Sequence, residues 1–178
     1  VPREETIYSG LDAIVFASLI NVIINHSNIV EISCVAQLVN VIAPILTKTN
    51  GGVIRQAIFY PLLYASNLIR GDVYKCDVNC KKIDGGKFGN VQSVTASFIK
   101  GENNSYLWIC NLDSEFVEVD LSKINEGKAK RHIFMQASDK RNSFEKPDVV
   151  KSSEIILKNS DCIKLLPLSW NLIEFANK

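Results

Sequence analysis

The sequence lacks the short motifs that mark a self-contained chemistry: it has no G-x-S-x-G elbow, no phosphate-binding glycine loop, no H-E-x-x-H and no G-x-G-x-x-G. Two histidines, His26 and His132, and five cysteines without a C-x-x-C pair give no zinc ligand set, so no metal and no cofactor is expected. Charge of one sign is also missing. With 20 Lys and Arg against 19 Asp and Glu, the net charge of +1 leaves no broad basic footprint for nucleic acid or an anionic membrane. Residues 1–10 are polar and acidic where a secretory signal needs a basic start and an apolar run. The longest apolar stretch, 11–24, is broken by Asp12, Ser18 and Asn21 and falls short of the ~20 residues that span a bilayer. Cys34, Cys76, Cys80, Cys110 and Cys162 read as reduced, packed thiols, which suits a reducing compartment.

Charge is scarce in one half only. The first 70 residues hold Arg3, Glu4, Glu5, Asp12, Glu31, Lys48, Arg55 and Arg70, and the remaining charged side chains all lie beyond. Lys, Arg, Asp and Glu are almost never fully buried unless paired, so a charge-poor segment is one covered on most faces. Seventy residues cannot bury themselves that well, and the chain reads as the C-terminal piece of something larger.

Leu11, Ile14, Val15, Leu19, Val22 and Ile23 follow helical spacing, with Ser9 as N-cap. The turn residues Asn25 to Asn28 end that helix, and Ile29 to Val35 read as a buried strand. Helical spacing resumes over Arg55 to Leu68 despite Pro61. Beyond Gly71 the period becomes two: Val73–Val78, Val91–Ile99, Tyr106–Cys110, Phe116–Leu121, Ala129–Ala137, Glu154–Leu157 and Leu172–Phe175 are about seven short strands of an antiparallel sandwich. The boundary falls at Arg70–Gly71.

The carboxylates of the first segment offer little acid/base chemistry. Glu4 and Glu5 sit in a polar leader, Asp12 suits a helix's first turn, and Glu31 lies inside the predicted strand. Gln37 and Asn40 differ, because amides just past a buried parallel strand stand where α/β folds place ligands. An amide there can donate to one sugar hydroxyl and accept from another. Asn25-His26-Ser27 and Asn103-Asn104-Ser105 match the glycosylation sequon, a pattern that arises readily by chance.

The words AQLVNVIAPIL (Ala36 to Leu46), Gly51-Gly52, RQAIFYP (Arg55 to Pro61) and LPLSWNLIEFA (Leu166 to Ala176), in this order, resemble the C-terminal part of the α-L-arabinofuranosidases of glycoside hydrolase family 51. Tyr8 to Ala13 and Glu145 to Val150 look like the same family. The resemblance implies an α+β fragment, with residues 1–70 as the last helix-strand-helix of a (β/α)8 TIM barrel and 71–178 as a jelly-roll-like antiparallel β-sandwich. It implies hydrolysis, with retention, of terminal non-reducing α-L-arabinofuranosyl groups of arabinan and arabinoxylan oligosaccharides. The family's two catalytic glutamates lie on earlier barrel strands, so no catalytic residue is expected in this chain. Gln37 matches the family's glutamine that hydrogen-bonds the bound arabinofuranose, and is the one substrate-binding residue expected. Asn40 and Arg55 match recurrent family positions and are read as rim structure and helix anchoring. Ile54 stands where the family usually has a tryptophan, which at that rim would stack on sugar. Trp170 is read as a packing residue of the sandwich.

The partners implied are an arabinofuranosyl oligosaccharide and the remainder of the barrel, with no nucleic acid and no membrane. A homo-oligomer is the candidate assembly of the full-length enzyme, and the cytoplasm the expected compartment. The alternative is a stand-alone, non-catalytic β-sandwich that binds carbohydrate or protein.

Overall fold

Ser9, followed three residues later by an acid, starts the first helix in the computed structural model, which describes residues 6–124, 126–158 and 161–177. Helix α1 (Gly10–Asn25) carries a complete capping box. The Ser9 N–H and hydroxyl both reach Asp12 Oδ2, at 2.7 and 2.8 Å, while the Asp12 N–H returns to Ser9 Oγ at 3.3 Å. Asp12 is thereby engaged as a cap. Ala13, Ile14, Ala17, Asn21 and Ile24 form the buried face of the helix, whereas Leu11, Val15, Leu19 and Val22 form an exposed apolar stripe.

The strand expected over Ile29 to Val35 is not formed. These residues adopt irregular backbone, and Ile29 and Ile32 stand 71% and 81% exposed. A buried parallel strand needs a hydrogen-bonding neighbour on its flanks. None of the described residues pairs with this segment. The chain instead turns into a hairpin of β1 (Ile45–Thr47) and β2 (Val53–Arg55), with Leu46 opposite Ile54. Helix α2 (Phe59–Leu68) follows, starting later than the spacing predicts. Pro61 lies in its first turn, where a missing N–H breaks no intrahelical bond.

Ten further strands are described beyond the second helix: β3 (Asp72–Lys75), β4 (Lys82–Asp84), β5 (Asn90–Gln92), β6 (Val94–Lys100), β7 (Asn104–Asn111), β8 (Val117–Asp120), β9 (Ala129–Gln136), β10 (Ser153–Ile156), β11 (Cys162–Leu165) and β12 (Ser169–Ala176). Six form one antiparallel sheet in the order β10-β9-β12-β7-β6-β3. The pairs β8–β11 and β4–β5 make small separate sheets. Gly71 permits the turn into β3: its φ is +137°, and a side chain there would collide with the Lys100 backbone.

The large sheet is covered on both faces. One face presents Ile99, Tyr106, Trp108, Cys110, Ile133, Met135, Trp170 and Leu172 to the two helices. The other presents Val94, Leu107, Ile109, Ile173 and Phe175 to Ile163 and Leu165 of β11 and to Leu121. Strands β7 and β12, at the centre, are therefore buried on both sides, and their sequences lose the in/out alternation of a one-sided strand. Polar bonds fix α1 in this layer. The Trp108 Nε1–H donates to the Ala17 carbonyl at 3.1 Å, the Asn25 amide donates to the Ala96 carbonyl at 3.1 Å, and the Ser97 hydroxyl bonds Asn21 Oδ1. Residues of the expected barrel and sandwich segments thus share one core.

Trp170 is fully buried, as its reading as a packing residue requires. The cysteines divide. Cys110 is buried and Cys76 and Cys80 are half-buried, but Cys34 and Cys162 are exposed, against the expectation that all five are packed. Burial pushes the Cys110 thiol up to about 12 and the Cys76 thiol up to about 11, which keeps both protonated and unreactive at neutral pH.

His132 on β9 is buried, and its Nε2–H donates to Asn171 Oδ1 at 2.9 Å. Burial holds its pKa below the ordinary value, against the smaller opposing effect of Asn171. The fold therefore favours the neutral ring. Its contribution to stability is complete above the unfolded-state pKa of ~6.5 and is lost as pH falls through the lower folded-state value. Urea midpoints should drop between pH 7.5 and 5, and His132→Leu should flatten that slope; an equal slope in the variant would assign it to other groups.

Candidate functional site

The segment 36–47 carries the residues singled out by sequence, and its backbone is unusual. Gln37, Asn40 and Val41 have φ of +64°, +64° and +60°. That left-handed region is uncommon for non-glycine residues and an outlier for a β-branched one such as Val41. Such conformations persist only where surrounding structure enforces them.

The enforcement is visible from Asn40 onward. Six successive carbonyls each accept a hydrogen bond: Asn40 from Ala43 N, Val41 from Thr6 N, Ile42 from the Tyr8 hydroxyl, Ala43 from Gln56 Nε2, Pro44 from Gln56 N and Ile45 from Asn40 N, at 2.7–3.1 Å. The Asn40 side chain adds a clasp to β1, accepting from Thr47 N at 2.7 Å and donating to Thr47 Oγ1 at 3.0 Å. Asn40 is thus a loop-fixing residue, consistent with its reading as rim structure.

Gln37 stands at the border of this held turn. It is exposed, and no hydrogen bond to its side chain is found among the described residues. Upstream, 31–36 make no backbone hydrogen bond among the described residues. The amide is therefore presented on a strained backbone with both its donor and acceptor capacity open.

Arg55 anchors as expected. Its guanidinium lies 5.3 Å from the Phe59 ring centroid at the start of α2, and its carbonyl accepts from the buried Asn142 amide at 2.8 Å. Asn142 in turn closes the 142–150 loop through both the N–H and the carbonyl of Val150. Ile54 departs from its expected rim position: it is 3% exposed and faces inward with its cross-strand partner Leu46. Among the candidate carboxylates, Asp12 is spent on the cap and Glu31 is exposed, while Glu4 and Glu5 lie outside the described residues. No three His, Cys, Asp or Glu side chains gather into a metal-binding group among the described residues.

Two features escaped the reading of the sequence. One is Gln56, the buried neighbour of the exposed Arg55. The other is the extent of open apolar surface. A groove of about 430 Å³ runs between α1, the irregular 33–35 segment and α2, lined by Phe16, Ile20, Ile23, Val35, Leu62 and Ile69. The exposed stripe of α1 and the exposed Ile29, Ile32 and Leu38 add to the apolar surface of this part of the chain.

The family model for the alpha-L-arabinofuranosidase C-terminal domain matches residues 2–169. The chain is 34% identical over 186 residues to an intracellular exo-α-(1→5)-L-arabinofuranosidase of Bacillus subtilis, a match covering 99% of this chain and 37% of that protein. It is 32% identical to the enzyme of the same name from Acetivibrio thermocellus, with 98% and 37% covered. The chain thus spans little more than a third of the length of these relatives. A family 51 α-L-arabinofuranosidase from Bifidobacterium longum superposes with a TM-score of 0.86 at 29% identity, covering 98% of this chain and 36% of that one. The arabinose-complexed α-L-arabinofuranosidase of Thermotoga maritima shares the fold, with a TM-score of 0.78 at 20% identity and 98% and 40% covered.

Proposed function

Because this chain belongs to the family of α-L-arabinofuranosidase C-terminal domains, we propose that it is the C-terminal portion of a retaining enzyme that removes terminal non-reducing α-L-arabinofuranosyl residues from arabinan and arabinoxylan oligosaccharides. The observation that carries this reading is the match of almost the entire chain to little more than a third of the exo-acting relatives. In this reading residues 1–70 close the catalytic (β/α)8 barrel and 71–178 are its jelly-roll-like sandwich. The apolar face of α1 and the 29–38 segment is the surface that the rest of the barrel covers. The irregular 29–35 stretch becomes the last parallel strand once neighbours lie alongside it.

Retention needs two carboxyls ~5–5.5 Å apart, one attacking the anomeric carbon and the other protonating the departing oxygen and then activating water. This chain supplies neither. Its contribution to chemistry is Gln37, whose open amide accepts from one arabinofuranose hydroxyl and donates to another, orienting the ring for attack. The reducing cytoplasm fits the exposed thiol of Cys34 and the naming of the relatives as intracellular.

The test is an aryl α-L-arabinofuranoside assay of the chain alone and of the chain joined to its barrel. The joined protein should turn over substrate and the chain alone should not. Turnover by the isolated chain would overturn the assignment of both carboxylates to the barrel, and tight arabinan binding by the inactive chain would favour a stand-alone module.

A further inference from the structure

Gln56 is 1% exposed, and every hydrogen-bonding group of its side chain is used. Its Oε1 accepts from Tyr8 N at 2.8 Å, and its Nε2 donates to the Thr6 carbonyl at 3.0 Å and to the Ala43 carbonyl at 2.7 Å. Its backbone N–H adds a bond to the Pro44 carbonyl at 2.8 Å. One side chain therefore joins three segments: the extended 6–8 stretch, the 40–45 turn and the junction between β2 and α2. Two further bonds of the 6–8 stretch, from Thr6 N to the Val41 carbonyl and from the Tyr8 hydroxyl to the Ile42 carbonyl, end on the same turn, while the Ile7 carbonyl accepts from Arg141 Nε at 3.1 Å.

This turn is where the left-handed backbone of Asn40 and Val41 must be maintained against its intrinsic cost. Removing a buried amide leaves each of its partners unsatisfied, a larger penalty than the net value of the bonds themselves. We infer that Gln56 is a positioning residue for the sugar subsite: it clamps 6–8 onto the 40–45 turn and so fixes the backbone from which Gln37 projects. The inference rests on Gln37 touching the sugar, as proposed above. It assigns to Gln56 no contact with substrate.

The decisive variant is Gln56→Glu in the full-length enzyme. It has the same shape and can still accept from Tyr8 N. Its second oxygen, however, replaces the amide nitrogen and faces the Thr6 and Ala43 carbonyls: ionised it bonds neither, and protonated, the form that burial favours, it bonds only one. The expected result per folded molecule is a kcat/KM about tenfold below wild type at pH 7.5, a factor equivalent to ~1.4 kcal/mol. The variant-to-wild-type ratio should recover as pH falls. In a Gln37→Ala background the same change should have little further effect, since residues acting through one another are not additive. A Gln56→Glu enzyme with wild-type kcat/KM but a lower unfolding midpoint would overturn the inference, leaving Gln56 a purely structural residue. So would a full tenfold loss persisting without Gln37. Tyr8→Phe, which deletes a bond to the same turn from an exposed hydroxyl, should lower kcat/KM by about threefold, ~0.65 kcal/mol on the same scale; it decides the matter if Gln56→Glu does not fold, an unchanged value counting against the clamp. A silent Gln37→Ala would instead sink the subsite reading itself.

Discussion

Trp170→Ala should cost the chain ~3–5 kcal/mol, the range for truncating a fully buried tryptophan. Its ring centroid lies 4.9 Å from that of Trp108 in the adjacent strand and 5.8 Å from that of Tyr64 on α2, so it joins the sheet to the second helix. Truncation opens a cavity between two layers that pack around the ring. A domain of this size has only ~5–15 kcal/mol of stability, so the loss is a large share of the total. The Trp170 indole N–H is also buried without a hydrogen-bond partner among the described residues. Trp170→Phe deletes that unsatisfied donor together with part of the volume, and it should be much the milder change. Urea unfolding of the three proteins measures this. An alanine variant within 1 kcal/mol of wild type would show that α2 does not depend on this contact.

The sheet was legible in the sequence because its strands obey local rules. Tyr106 to Cys110 and Ala129 to Ala137 read correctly, and the central strands only extended further once they were seen to be buried on both faces. Two short strands, Lys82–Asp84 and Cys162–Leu165, were not legible, the first because three residues are too few to show alternation, although the equally brief Val117–Asp120 and Ser153–Ile156 were. The Ser9 cap was legible because a serine stands just before the helical spacing begins; the Asp12 half of the capping box was not read. The 29–35 segment was misread for the opposite reason. Its apolar, β-branched composition describes a strand with neighbours on either side, and composition cannot say whether those neighbours belong to the same stretch of chain. The inward-facing Ile54 was misplaced because β1 and β2 were not foreseen as a hairpin. Gln37 could be singled out as a candidate by type and position. The turn that presents it could not, because it is built from the contacts of Thr6, Tyr8 and Gln56, up to 50 residues apart in sequence.

Replacing Gln37 tests the subsite most directly, because its backbone and its side chain make opposite demands. At φ +64° a glutamine pays ~1–2 kcal/mol relative to the right-handed region, and glycine pays almost nothing. If the side chain had no role at all, Gln37→Gly would be neutral or favourable in every respect. If the amide binds the sugar, the same change should leave the unfolding midpoint of the full-length enzyme unchanged or slightly higher while kcat/KM falls ~30–100-fold, equivalent to ~2–2.7 kcal/mol. A loss of that size is reasonable where hydrogen bonds to a sugar hydroxyl strengthen as the ring flattens toward the oxocarbenium-like transition state. It should appear mainly in kcat, since an interaction made equally in the ground state would raise KM alone. Gln37→Ala should show the same loss of activity without the relief of backbone strain. Activity that survives in both variants would remove Gln37 from the site, and activity that falls only in step with the folded fraction would make it a structural residue.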